Sequence, residues 1–155
     1  MVKVGDSIPS VGLVEGKPDG TVDLSKELAS GSGVIIGVPA AFSPTCSDTH
    51  IPGWIAHPKL KSAGKVFVVS VNDPFVMNAW GKSLDKDGSS GIRFLGDPAG
   101  KFTRALDVEF EAAPLLGTNR SKRYAMVVED GKVKSISIEP DNLGTEVSTA
   151  EKVLG

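Results

Sequence analysis

Residues 34–46 read Val34-Ile35-Ile36-Gly37-Val38-Pro39-Ala40-Ala41-Phe42-Ser43-Pro44-Thr45-Cys46. The first five are apolar and do not alternate with polar residues, which is typical of a strand buried on both faces of a sheet. A second such run follows at residues 66–71, and the segment between the two runs is long enough for a helical crossover. The pattern predicts a right-handed βαβ unit with two central parallel strands.

A helix is predicted directly after the second strand. Asp73 suits its N-cap, and Pro74 suits its first position, where the amide has no helical acceptor. Helical spacing places four apolar side chains on one face: Phe75, Val76, Ala79 and Trp80. We therefore expect this face to pack against the core.

Further strands are predicted in the second half of the chain. Residues 92–95 form a short strand candidate, and Asp97-Pro98 opens a capped turn after it. Residues 124–128 and 133–138 flank Asp130-Gly131, a pair that favours a tight antiparallel turn. These last two segments predict a β-hairpin.

The order of elements predicts an α/β protein with a thioredoxin-like fold, in which helices flank a central mixed β-sheet. Ser148 and Glu151 have the spacing of a capping box, which indicates a short terminal helix. Residues 31–33 and 85–91 have the composition of loops. The length of 155 residues fits a single domain over residues 1–155.

Charge and composition exclude several classes of function. A formal net charge of −2 gives no electrostatic reason to expect a nucleic-acid partner. No apolar run approaches the length that spans a bilayer, so we expect no membrane partner. The chain has 1 cysteine, which cannot form an intrachain disulfide and persists most easily in a reducing compartment. The cytoplasm is therefore the expected location.

The position of Cys46 predicts a reactive thiol. Ser43 can cap a helix that starts at Pro44, which places Cys46 in its first turn. The unpaired amides and partial positive charge there stabilise an anion and lower the pKa of a cysteine. Pro52 lies a turn further on and cannot donate a helical hydrogen bond, so the helix is expected to loosen over residues 48–51.

These residues resemble a known family. Residues 39–47 match the active-site signature of the peroxiredoxins: proline, three residues, threonine or serine, two residues, then the peroxidatic cysteine. Residues 50–53, 70–77 and 123–133 resemble the type II, or peroxiredoxin-5-like, subfamily. The resemblance covers nearly the whole chain in order, and it implies a thiol peroxidase without metal or organic cofactor.

The resemblance implies a role for each site residue. Cys46 attacks hydrogen peroxide or a small alkyl hydroperoxide and becomes a sulfenic acid. Arg123 resembles the family's active-site arginine, a permanently charged, forked donor. Ser43 is expected to hydrogen-bond the thiolate and the peroxide, and Pro39 to shield the sulfur. The backbone amides of Thr45 and Cys46 complete the expected donor set.

A resolving cysteine found in some type II relatives has no counterpart here. Val147 stands at the aligned position. The sulfenic acid of Cys46 must therefore meet an external thiol, which predicts a one-cysteine mechanism. By resemblance, the reductant is glutathione with glutaredoxin, or thioredoxin. Family members also form homodimers, to which Phe42, Pro44 and Trp80 could contribute, and they occur in mitochondria and peroxisomes as well as the cytosol.

Several alternatives stay open at this point. The same cysteine could serve a peroxide-responsive sensor or adaptor, or the fold could be a binding or holdase module in which the thiol matters little. His50 could pair with Cys46 on a metal, but two ligands without a third are insufficient for a typical zinc site. Nothing further recommends His50 or His57 as the base of a cysteine protease. Arg120 and Lys122 are assigned to the surface.

Overall fold

The computed structural model describes residues 2–155 and contains a seven-stranded mixed sheet in the order β2-β1-β5-β4-β3-β8-β9, with a second sheet of β6 and β7. The strands are β1 Gly12–Val14, β2 Thr21–Asp23, β3 Ser32–Gly37, β4 Lys65–Ser70, β5 Arg93–Gly96, β6 Glu109–Phe110, β7 Arg120–Ser121, β8 Tyr124–Glu129 and β9 Lys132–Ile138. The helices are α1 Leu24–Glu27, α2 Ile51–Ala56, α3 Pro74–Leu84, α4 Lys101–Ala105, α5 Ala113–Leu116 and α6 Ala150–Leu154, with a π-helix at Cys46–His50 and a 3-10 turn at Lys61–Ala63.

Strand β3 lies at the centre of the sheet. It pairs in parallel with β4 and antiparallel with β8, and β4 pairs in parallel with β5. Its side chains enter two apolar layers, Ile35 on one face and Val34 and Ile36 on the other. The predicted βαβ unit and mixed sheet are confirmed. The predicted loop at residues 31–33 is too long, because Ser32 and Gly33 already pair with neighbouring strands.

Helix α3 begins as predicted but faces the sheet differently. The Asp73 carboxylate accepts a hydrogen bond from the Val76 amide at 2.8 Å, which confirms the cap. Phe75 is 60% exposed, and Ala79 is exposed as well, so the predicted core face is wrong for both. The buried stripe is instead Met77, Trp80 and Gly81. A Cβ at Gly81 would lie 2.7 Å from the Phe94 ring, so the missing side chain lets this side of the helix approach β5.

The predicted turns follow the expected chemistry, with one shift. Asp130 and Gly131 both have positive φ, 50° and 79°, as the two-residue turn between β8 and β9 requires. The Asp97 carboxylate accepts from the amides of Phe102 and Thr103 at 3.2 and 2.9 Å, confirming the capped turn before α4. Helix α6 is capped by Thr149 rather than Ser148. Ser148 fails as the cap because its hydroxyl is already bound inside the protein.

Two features at the edges of the fold are not predicted from the sequence. Strands β1 and β2 form a short hairpin that extends the sheet beyond β5. Helix α5 and the strand pair β6–β7 lie between α4 and β8. Across residues 2–155, every helix is too short or too polar to cross a bilayer.

Candidate active site

Cys46 lies in the first turn of the helix that follows β3. Pro44 is the first helical residue, and the Ser47 amide donates to the Ser43 carbonyl at 2.9 Å. Cys46 is therefore the third helical residue, as predicted. The amides of Thr45 and Cys46 belong to the group of N–H donors that have no acceptor within a helix.

The side chain of Ser43 does not cap this helix. Its hydroxyl donates to the Ala40 carbonyl at 2.8 Å instead of accepting from the first turn. Phe42 explains the difference, because its φ of 64° turns the chain back so that Ser43 faces Ala40. The predicted side-chain cap is therefore wrong, although Ser43 holds the predicted backbone position.

A wide turn carries Cys46 towards the interior. The Ile51 amide donates to the Cys46 carbonyl, one residue further back than in an α-helix, and residues Cys46–His50 form a π-helix. Pro52 follows as the second residue of α2 and cannot donate to the Asp48 carbonyl. The predicted loosening before Pro52 is confirmed. Cys46 and His50 are both buried.

A small pocket brings together four of the predicted site residues, Pro39, Ser43, Thr45 and Arg123, but Cys46 is not among the residues that line it. Its volume is about 210 Å³. The lining residues are Pro39, Ser43, Pro44, Thr45, Leu115, Leu116, Arg123 and Leu143. Cys46, directly after Thr45, is fully buried in the apolar cluster that also contains Val38 and Ile51. Residues that precede the cysteine therefore form one wall of the pocket. Arg123, which directly precedes β8, lines the pocket as well.

Arg123 is a buried cation whose partners are neutral. It is 2% exposed and directly precedes β8. Its Nε donates to the Leu143 carbonyl at 3.2 Å, and its Nη1 lies 3.0 Å from Nδ1 of His50. No carboxylate in residues 2–155 forms an ion pair with it. The positive charge therefore remains available to an anion in the pocket.

His50 orients Arg123, a role that the sequence analysis missed. Its Nε2 lies 3.0 Å from the Ser148 carbonyl, which can only accept, so Nε2 carries the proton and Nδ1 accepts from Arg123. Burial and the charge of Arg123 lower the pKa of His50 to about 4. The ring is therefore neutral near pH 7. Both of its nitrogens are engaged within the protein, which leaves neither for a metal ion.

Glu139 is a second functional candidate that the sequence analysis did not single out. The carboxylate is buried and accepts hydrogen bonds from the amides of Glu146, Val147 and Ser148 and from the Ser148 hydroxyl. Burial opposes its charge, but these hydrogen bonds lower its pKa below the usual value, so it is ionised. The residues next to Glu139 in the sequence form no motif that indicates this role.

Two other residues differ from their predicted environments. Trp80 is fully buried, and its Nε1 donates to the Ser47 hydroxyl at 2.9 Å, so it cannot contribute to an exposed interface. Arg120 is half-buried and donates through Nη1 to the Val71 carbonyl at 2.6 Å. Arg120 is therefore only partly at the surface, with its guanidinium bound to the backbone. Lys122 is also half-buried.

Comparison with known proteins agrees with the site. The Redoxin family model matches residues 3–154. Peroxisomal membrane associated protein 20 of Schizosaccharomyces pombe is 46% identical, and the match covers 99% of this chain and 98% of that protein. Peroxiredoxin-2C of Oryza sativa subsp. japonica is 38% identical, with coverage of 99% and 96%. The crystal structure of peroxiredoxin 5 from Alvinella pompejana matches with a TM-score of 0.83 at 40% identity, covering 92% of this chain and 93% of that one. The chain belongs to the redoxin family, as a peroxiredoxin of the type II, peroxiredoxin-5-like group with a single cysteine.

Proposed function

We propose that Cys46 is the peroxidatic nucleophile of this thiol peroxidase. The observation that carries the proposal is the pocket in which Arg123 faces the residues that precede Cys46. The thiolate attacks one oxygen of hydrogen peroxide or a small alkyl hydroperoxide. An S–O bond forms, the O–O bond breaks, sulfur loses two electrons, and the leaving oxygen takes a proton to become water or an alcohol.

The residues that line the pocket next to Cys46 stabilise this step. Arg123 supplies positive charge and forked donors to the attacking thiolate and to the negative oxygen that leaves. The amides of Thr45 and Cys46 face the same charge from the start of the helix. The Ser43 hydroxyl, whose proton is donated to the Ala40 carbonyl, can accept a hydrogen bond from the bound hydroperoxide. Pro39 shields the sulfur with an apolar ring. No metal or organic cofactor takes part in this proposal.

An external thiol completes the cycle. The chain has 1 cysteine, so no second thiol of the same chain can resolve the sulfenic acid. A thiol attacks the sulfenic sulfur and releases water, and a second thiol then cleaves this mixed disulfide and restores Cys46. We propose that these electrons come from glutathione with glutaredoxin or from thioredoxin.

A turnover assay tests this function. We expect the protein to consume many equivalents of hydrogen peroxide per chain with at least one of the two thiol systems, and to stop once Cys46 is oxidised when no thiol is supplied. Peroxide consumption is monitored through the oxidation of NADPH in the coupled reductase assay. A single equivalent of peroxide consumed, followed by arrest with both systems, would contradict the peroxidase and favour the sensor.

We also propose that the protein forms a homodimer through the surface around the pocket. Phe42 is 55% exposed, and Pro44, Leu115 and Leu143 are exposed apolar residues that line the pocket mouth. Such a cluster beside a functional site favours a protein partner, and a second copy of the chain is the partner that type II relatives imply.

Phe42→Asn is expected to weaken this dimer at least about tenfold, because exposed aromatic anchors dominate many interfaces. Asparagine tolerates the positive φ of Phe42, so the change removes the ring without straining the turn. Sedimentation equilibrium measures the dimer constant, and Val4→Asn, at a residue that is 65% exposed, is the matched control. A monomeric wild type, or equal constants for both variants, would contradict the proposal.

The proposed location is the cytoplasm, where a lone thiol stays reduced. The name of the Schizosaccharomyces pombe relative makes the peroxisome the main alternative, and the mitochondrion is another. Microscopy of the tagged full chain in a eukaryotic cell separates these compartments.

A further inference from the structure

We propose that Glu139 is a positioning residue for Arg123 and acts on it through Ser148 and His50. This inference rests on the role proposed above for Arg123. The chain of contacts joins a buried carboxylate, a loop carbonyl, an imidazole and the guanidinium.

Glu139 fixes the segment that carries Ser148. One carboxylate oxygen accepts from the Glu146 amide at 2.9 Å. The other accepts from the amides of Val147 and Ser148 at 3.0 and 2.8 Å and from the Ser148 hydroxyl at 2.6 Å. Hydrogen bonds to a charged acceptor are stronger than neutral ones, so this cluster holds residues 146–148 in one conformation.

The Ser148 carbonyl, held in this way, selects the tautomer of His50. It accepts from Nε2 of His50 at 3.0 Å and from Nε1 of Trp54 at 3.2 Å. Two ring donors on one carbonyl leave little freedom for either ring. The proton of His50 therefore stays on Nε2, and Nδ1 presents a lone pair to Arg123 at 3.0 Å. The other tautomer would place two N–H donors against each other.

Residues 139–142 also hold the main chain of Arg123. The Glu139 amide donates to the Arg123 carbonyl at 2.9 Å, and the Arg123 amide donates to the Asn142 carbonyl at 2.8 Å.

The neutral imidazole of His50 separates the Arg123 guanidinium from the Glu139 carboxylate. A direct ion pair would orient Arg123 equally well, but it would neutralise the charge that the pocket needs. The arrangement therefore orients the cation and leaves its charge to the pocket.

Glu139→Gln tests this inference. An amide at this position turns a donor towards the Glu146 amide, so we expect the loop to loosen and His50 to populate both tautomers. We expect the second-order rate constant for peroxide to fall by about tenfold, since small displacements of a positioned group have effects of this size. Glu146→Gln is the matched control, because it removes one charge from an exposed side chain on the same loop.

Two measurements give independent readouts. Nitrogen NMR of the histidine rings reports the tautomer, and the chain has 2 histidines, so the half-buried His57 is the internal reference. Stopped-flow Trp fluorescence at a temperature well below both unfolding midpoints gives the rate of the first oxidation. Ser148→Ala keeps the carbonyl and removes only the hydroxyl, so we expect an intermediate effect on both readouts.

The outcomes separate this inference from the peroxidase itself. An unchanged tautomer in Glu139→Gln overturns the inference, whether or not the rate falls, because a rate loss would then reflect stability alone. An altered tautomer with a wild-type rate also overturns it. If the wild type does not react with peroxide at all, the proposed function fails, while an altered tautomer in Glu139→Gln still shows that Glu139 controls His50.

Discussion

Cys46→Ser is expected to abolish peroxide consumption in both thiol systems. A serine hydroxyl is almost entirely protonated near neutral pH, so it supplies no anion to attack the O–O bond, and it cannot form a sulfenic acid. The loss is complete rather than partial, because the chain has 1 cysteine and no other side chain can take over its redox cycle. The amount of NADPH oxidised per mole of protein measures this loss of peroxide consumption.

Folding has to be separated from chemistry in this experiment. Cys46 is fully buried in an apolar cluster, where an unpaired hydroxyl costs about 1–3 kcal/mol. Cys46→Ala avoids this cost, because it leaves a small apolar side chain among Val38 and Ile51. Both variants are expected to be inactive, with far-UV circular dichroism like that of the wild type. Turnover retained by either folded variant would remove Cys46 from the mechanism.

The parts of the fold that were predicted correctly depend on residues close together in sequence. The β-branched run of β3 predicted a central strand, and Asp130-Gly131 predicted the hairpin, because strand burial and turn geometry are set by local composition. The place of Cys46 follows equally from its distance to Pro44. Family resemblance then placed Arg123 in the site, which local sequence could not do.

The incorrect predictions depend on which surface faces a distant partner. Helical spacing identifies an apolar stripe on α3 but cannot tell that Gly81, rather than Ala79, lies against Phe94. The cap at Ser148 fails for a similar reason, since Glu139 competes for its hydroxyl. His50 and Ser148 are 98 positions apart, so their contact exists only once the sheet and both loops have folded. The missed residues are those that connect such segments.

Arg123→Ala is the second change with a large expected effect. It removes the buried cation of the pocket, and with it the donors that we propose for the thiolate and the leaving oxygen. Loss of one such donor lowers a rate by about 10²- to 10³-fold, so we expect a loss of this size in the second-order rate constant for peroxide. Alkylation of Cys46 by iodoacetamide at pH 7 is expected to slow as well, because the thiolate loses a stabilising positive charge.

Arg123→Lys distinguishes charge from geometry. Lysine keeps the positive charge but has no planar fork, so it cannot bind the Leu143 carbonyl and Nδ1 of His50 together as Arg123 does. We therefore expect alkylation to recover more fully than peroxide reduction, which needs donors at fixed positions. Lys122→Ala, at the adjacent half-buried cation, is the matched control and is expected to leave both rates near wild type. Wild-type values of both rates in Arg123→Ala would show that the arginine takes no part in the reaction. Its buried charge could then be removed without consequence for the thiolate or for the leaving oxygen.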